Sequence, residues 1–175
     1  MKFKELEIPG VYLIEYEPIV DNRGSFVRIF CKKEFIQHNL NPDIVQSNYS
    51  FNSVKGTLRG LHYQRSPFEE TKVVLCSRGS IYDVIVDLRP ESSMYKSWIG
   101  LKLNESVSNC IYIPTGCAHG FQTLEDNTLV LYFMGNYYNP DCVSGIKWND
   151  PDINISWPLP VTNISERDKN NSNFR

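Results

Sequence analysis

The sequence is poor in histidine, with only His38, His62 and His119 among 175 residues, so metal sites rich in imidazole have little to draw on. It has no C-x-x-C pair. Cys31, Cys76, Cys110, Cys117 and Cys142 are scattered and odd in number, which argues against a disulfide framework and for a reducing cytoplasm. No apolar run approaches the ~20 residues that span a bilayer. Residues 1–7 alternate charged and apolar side chains, without the unbroken apolar core of a signal peptide. Charge of one sign is also lacking: a net charge of −2 gives no general attraction to nucleic acid or an anionic membrane. An anionic ligand must therefore be held by a local group of Arg and Lys. There is no internal repeat and no low-complexity stretch.

What is present fits one globular domain over residues 1–175, with 41% hydrophobic and 22% charged residues. Aromatics at 13% favour strands over helices. Strands are expected at 11–20, 25–31, 43–49, 57–64, 72–77, 81–88, 97–103, 110–113, 119–124 and 128–137, with one helix at 32–39. Such close spacing points to an all-β sandwich or barrel. Around residues 80–88, Tyr82, Val84, Val86 and Leu88 share one face, while Ile81, Asp83, Ile85 and Asp87 share the other. A strand apolar on both faces needs a cover on each side, and a second subunit is one candidate. The polar segment 158–175 reads as loop or short helix with a frayed end.

His38 falls in the polar helical stretch and reads as surface. Alternation in Leu58-Arg59-Gly60-Leu61-His62-Tyr63-Gln64 puts Gly60, His62 and Gln64 on one face, a better cavity lining than core. Arg59 then faces away, unless a bulge at Gly60 re-aims it. His119 follows a turn of small residues, Pro114-Thr115-Gly116-Cys117-Ala118. Lys72 alternates with Val74 and Cys76, and Asp83 sits between Ile81 and Ile85, so a buried Lys72–Asp83 pair is expected. Tyr132 reads either as core or as a proton donor, its phenol being protonated at neutral pH.

In order along the chain, a longer set of motifs appears: Asp21-x-Arg23-Gly24-x-Phe26, Val45-Gln46-x-Asn48-x-Ser50, and Lys55-Gly56-Thr57-Leu58-Arg59-Gly60-Leu61-His62-Tyr63-Gln64. There follow Gly79-x-Ile81-x-Asp83-Val84-x-Val86-Asp87-Leu88-Arg89, Ile113-Pro114-x-Gly116-x-Ala118-His119-Gly120-Phe121, Tyr132 with Tyr137-Tyr138, Gly145-Ile146-x-Trp148-x-Asp150-Pro151, Ile155-x-Trp157-Pro158 and Ser165-x-x-Asp168. Together they resemble the dTDP-4-dehydrorhamnose 3,5-epimerase family over nearly the whole chain. The resemblance implies a cupin-type jelly roll (a double-stranded β-helix barrel) with a few short helices, acting as a cytoplasmic homodimer without metal or organic cofactor. Its substrate would be a nucleotide-linked 4-keto-6-deoxyhexose. By that pattern His62 is the general base, oriented by Asp168, and Tyr132 is the acid on the opposite face. Lys72, steadied by Asp83, faces the enolate oxygen. Arg23, Phe26, Arg28, Gln46, Asn48, Arg59, His119, Tyr138 and Arg167 bind the nucleotide and sugar, with the Arg23 segment reaching the neighbouring subunit's site.

Two positions depart from the pattern. Arg28 stands where the family usually carries Glu, and Val143 where Glu is frequent, so a CDP- or GDP-linked sugar, or inversion at one carbon, remains open. P-x-G-x-x-H at 114–119 also resembles the second motif of metal cupins. The first motif would offer only His62, Gln64 and Glu70, a weak ligand set. A metal-dependent cupin and a non-catalytic sugar-nucleotide binder are the alternatives from other classes.

Overall fold

A computed structural model describes residues 1–174, and these form two facing six-strand layers and a small hairpin. The first sheet runs β1 (Lys2–Glu5), β2 (Tyr12–Glu15), β10 (Asn109–Ile113), β7 (Lys72–Arg78), β12 (Thr128–Met134), β5 (Gln46–Asn52). The second runs β13 (Val143–Gly145), β6 (Thr57–Gln64), β11 (Cys117–Thr123), β8 (Ser80–Asp87), β9 (Trp98–Asn104), with β14 (Asn163–Ile164) beside β6. Neighbouring strands on both paths are antiparallel. β3 (Ile19–Asp21) and β4 (Gly24–Phe26) form a separate hairpin, and α1 (Lys32–Gln37) and α2 (Glu166–Lys169) are short.

Period-two alternation sorts the side chains into three apolar clusters. Val74 and Cys76 of β7, Ile81 and Ile85 of β8, Phe121 of β11 and Val130 of β12 fill the space between the sheets. Val73 and Leu75, on the other face of β7, pack outward against Phe35 of α1 and against Val27, Ile29 and Phe30. Val84 and Val86, on the other face of β8, pack against Ile146, Ile153, Ile155 and Trp157. The chain's own segment 146–157 therefore supplies a cover for the outer face of β8. Each of those isoleucines contributes about 1.5–3 kcal/mol by leaving water.

Several boundaries differ from expectation for identifiable reasons. The strand expected at 11–20 is split, because Pro18 lies between β2 and β3 and has no N–H to give a ladder. The strand expected at 25–31 stops at Phe26, since Val27, Ile29 and Phe30 are drawn into the cluster around Phe35. The expected fraying does not extend to Phe174: its N–H donates to Asp150 Oδ2 at 2.6 Å, and its ring packs against Tyr95. Arg175, the end of the expected domain and tail, lies outside the described residues. No described helix is long and apolar enough to cross a membrane.

Candidate active site

Between the sheets, at the end where β5, β6, β7, β11 and β12 converge, lies a cavity of about 310 Å³. The inward face of β5 supplies Gln46, Asn48 and Ser50; β12 supplies Tyr132 and Met134; β7 supplies Lys72. From the opposing sheet come Arg59, His62 and Gln64 of β6, and His119 and Phe121 of β11. Glu70, Tyr138, Val143 and Arg167 complete the lining.

Arg59 and His62 share this cavity because β6 carries the bulge that alternation requires. Opposite β11, His62 pairs with His119 and Arg59 with Phe121, so Gly60 and Leu61 together face Gly120. Gly60 has φ +120°, and a Cβ there would come within 2.6 Å of Gly120 Cα and 2.8 Å of the His119 carbonyl oxygen. Only glycine fits so close an approach. The extra residue reverses the parity of the strand and turns Arg59 inward. Arg59 Nε then donates to Asn52 Oδ1 at 2.7 Å, which fixes the plane of the guanidinium.

His62 Nε2 lies 2.6 Å from Asp168 Oδ1, while Asp168 Oδ2 accepts the Gly60 N–H at 3.0 Å. Asp168 is placed by the cap of α2, where Ser165 Oγ accepts the Asp168 N–H at 3.1 Å. This is the local reason for the Ser165-x-x-Asp168 spacing. Burial opposes ionisation of Asp168, but the bonds from His62, Gly60 and Ser165 outweigh it and hold the carboxyl below the usual range. Tyr132 moves the other way. Desolvation, then the nearby Asp83 carboxylate, push its phenol well above its ordinary value, against a smaller opposing effect of Arg59.

The expected Lys72–Asp83 pair does not form. Lys72 Nζ instead contacts Glu70 Oε1 at 3.0 Å and donates to the His62 carbonyl oxygen at 3.0 Å. Asp83 Oδ1 is 2.8 Å from His119 Nε2, and its other oxygen is buried with no hydrogen-bond partner among the described residues. The reason is register: Asp83 of β8 lies opposite Phe121 of β11, two residues from His119, whereas Lys72 begins β7 in the other sheet, beside Glu70.

Gln46, Asn48, Arg59, His62, Lys72, His119, Tyr132, Tyr138 and Arg167 thus meet at one cavity, with Asp168 behind His62 and Asp83 behind His119. Arg23, Phe26 and Arg28 do not line it. Arg23 is bound to Asp21 on the β3–β4 hairpin, its side chain 85% exposed, while Phe26 and Arg28 border a smaller cleft with Met1 and Glu34. Among the described residues no group of three His, Cys, Asp or Glu side chains is placed to hold a metal. As a member of this cavity's ion pairs, Glu70 escaped the sequence. Its signals were a position two residues before Lys72 and its place with His62 and Gln64 in the weak metal motif, and the three do line one cavity.

The dTDP-4-dehydrorhamnose 3,5-epimerase family profile matches residues 5–175. The dTDP-4-dehydrorhamnose 3,5-epimerase of Methanothermobacter thermautotrophicus is 42% identical over 172 residues, covering 97% of this chain and 92% of that one. The crystal structure of the Bacillus anthracis enzyme of that name, with TDP and PPi bound, superposes with a TM-score of 0.95 at 36% identity, covering 99% of both chains. A dTDP-6-deoxy-D-glucose-3,5-epimerase from Legionella pneumophila, in complex with dTDP-4-keto-L-rhamnose, gives 0.92 at 32% identity, covering 98% and 92%. Fold, cavity and likeness define a carbohydrate epimerase on a cupin-like jelly-roll barrel. Within that class, the chain belongs to the dTDP-4-dehydrorhamnose 3,5-epimerase family.

Proposed function

We propose that this enzyme inverts carbons 3 and 5 of dTDP-4-dehydro-6-deoxyglucose, giving dTDP-4-dehydrorhamnose by proton removal and return through an enolate. The observation that carries the reading is the placement of His62 and Tyr132 on opposing sheets, across one cavity. Inversion needs a base on one face of the carbon and an acid on the other, since a single carrier returns the proton where it was taken.

Asp168 is an acceptor, so it draws the N–H of Nε2 and leaves the lone pair of the imidazole on Nδ1. His62 takes the proton beside the ketone. That proton is on the order of a dozen pKa units less acidic than imidazolium, a gap of roughly 16 kcal/mol that a base alone does not close. The rest must come from stabilising the oxygen where charge develops, and Lys72 supplies the cation. Tyr132, held protonated by its surroundings, returns a proton from the other side. Arg59 and Arg167 suit the diphosphate, since a guanidinium gives paired charge-assisted bonds, and Gln46, Asn48, His119 and Tyr138 border the same space. Asp83 then serves His119 rather than Lys72.

The hairpin bearing Arg23 exposes Ile19, Val20 and Phe26. That apolar surface supports a homodimer in which Arg23, Phe26 and Arg28 reach the neighbouring cavity. Five unpaired thiols support a reducing, cytoplasmic setting.

Incubation with the dTDP-4-keto sugar in deuterated water, followed by NMR, is expected to place deuterium at both carbons beside the ketone, with chelator present or absent. Val143 in the cavity wall favours a second reading, a CDP- or GDP-linked substrate. Exchange of those sugars but not the dTDP sugar would establish it, and label at one carbon alone would make the enzyme a mono-epimerase.

A further inference from the structure

Among the described residues Glu70 is the one carboxylate that lines the cavity itself, and it has no part in the reaction derived above. It stands in the connection before β7. That connection is clamped to the end of β12 by the Gly135 N–H donating to the Thr71 carbonyl at 2.8 Å, and by Asn136 Nδ2 donating to the Glu69 carbonyl at 3.2 Å. Glu70 is therefore held by backbone on both sides. Its Oε1 meets Lys72 Nζ at 3.0 Å, and the two side chains are only 9% and 7% exposed.

An ammonium has three N–H donors. Here one goes to the His62 carbonyl oxygen and one to Glu70, which leaves a third to give to a reacting oxygen. Lysine has a flexible four-carbon stem, and a single acceptor leaves it free to swing. Two acceptors on different elements, β6 and the β7 connection, define where the charge sits. A negative group this close to a developing enolate opposes it, so its presence makes sense only if fixing the cation matters more than the repulsion.

We propose that Glu70 is a positioning residue, which tethers the Lys72 ammonium so that its remaining proton faces the enolate oxygen. This rests on the reading of Lys72 as the oxyanion-stabilising cation. Glu70 acts through Lys72 and touches neither the proton being moved nor the nucleotide.

The test measures kcat and KM for solvent-deuterium exchange in the wild type, Glu70→Ala, Glu70→Gln, Lys72→Met and the Glu70→Ala/Lys72→Met double variant. Lys72→Met is expected to lower kcat by about 100-fold or more. Glu70→Ala should lower kcat about 10- to 100-fold while KM stays within about twofold, as expected for a misplaced catalytic cation. Glu70→Gln keeps an acceptor oxygen at the same reach and should recover to within about fivefold of wild type. In the Lys72→Met background Glu70→Ala should cost nothing further, because the group it positions is gone. Should Glu70→Ala not fold, Glu70→Asp, one methylene shorter, is expected to show the same fall in kcat at steady KM. If Lys72→Met abolishes exchange while both Glu70→Ala and Glu70→Gln remain at wild-type rates, the tether is wrong and the role of Lys72 stands. Equal losses from Glu70→Ala in both backgrounds, tracking a lowered Tm, would assign Glu70 to the fold and overturn the proposal. Undiminished exchange in Lys72→Met would instead refute the underlying role of Lys72, and the tether with it.

Discussion

Replacing Asp168 with Asn changes one atom and leaves the volume of the side chain nearly constant, yet the site leaves it no good orientation. Both carboxylate oxygens accept, one from His62 Nε2 at 2.6 Å and the other from the Gly60 N–H at 3.0 Å. An amide offers one acceptor and one donor. If its oxygen faces His62, its NH2 meets the Gly60 N–H, donor against donor, in a buried position. If the amide turns over, its NH2 donates to Nε2, the ring proton moves to Nδ1, and the nitrogen needed as base is occupied. The first orientation buries a donor clash, the second removes the working tautomer, and the charge that would sit beside the imidazolium is lost in both. Loss of the wrong-tautomer kind in His–Asp catalysis is about 10⁴-fold. We expect kcat for deuterium exchange to fall roughly 10³- to 10⁴-fold, or about 4–5 kcal/mol of transition-state stabilisation. The assay is NMR of the 4-keto sugar nucleotide in deuterated water, with Tm recorded to show that Asp168→Asn is folded. Exchange within threefold of wild type in a folded Asp168→Asn protein would refute the assignment of His62 as the base.

Tyr132→Phe separates removal from return: exchange at the carbon should persist, while formation of the inverted sugar drops about 10²- to 10⁴-fold. Equal loss of both, or of neither, would show that Tyr132 is not the opposite-face acid. Stability should also respond to pH at both extremes. The lowered Asp168 carboxyl adds stability that is present above the unfolded carboxylate value of about 4 and is lost as pH falls through its lower folded value. The raised Tyr132 phenol adds stability that is present below its unfolded value of about 10 and is lost as pH rises beyond it. Above that pH the Tm of the wild type should fall more steeply than that of Tyr132→Phe, and parallel curves would contradict the shift.

Strand β6 was legible to the residue, because alternation in its sequence is strict and its one irregularity falls on a glycine. Lys72 and Tyr132 share the inward face with Val74, Cys76 and Val130, but β7 and β12 are apolar on both faces, so which face turned inward was settled by packing rather than by alternation. The partners of those inward charges were not legible. Asp83 and His119 are 36 positions apart, and what joins them is the register of β8 against β11. Glu70 and Lys72 are near in sequence, but only the clamped connection before β7 folds one carboxylate onto its neighbour's ammonium. Alternation gives a face, whereas pairing across a sheet or within a loop depends on distances that no periodicity encodes. The split of the 11–20 strand belongs to a third kind: Pro18 sits inside an otherwise strand-like run, and its missing N–H ends the ladder there.

The two Asp–His pairs use the same chemistry to opposite ends. His62 has a side chain 36% exposed and opens into the cavity, and each oxygen of its carboxylate partner Asp168 is engaged, one by His62 and the other by the Gly60 N–H. His119 is only 5% exposed, and its carboxylate keeps one buried oxygen without a partner among the described residues. A saturated carboxylate can steady a base that gains and loses a proton, because its own charge is already balanced. The Asp83 carboxylate also lies near Tyr132, where it adds to desolvation, the larger cause, in raising the phenol. Asp168 thus keeps its own charge so that the imidazole can work, while burial, reinforced by Asp83, keeps the proton on the phenol. The assignment of His62 to removal and Tyr132 to return follows from their placement on opposite walls of one cavity, with Asp168 orienting the first and burial holding the proton on the second.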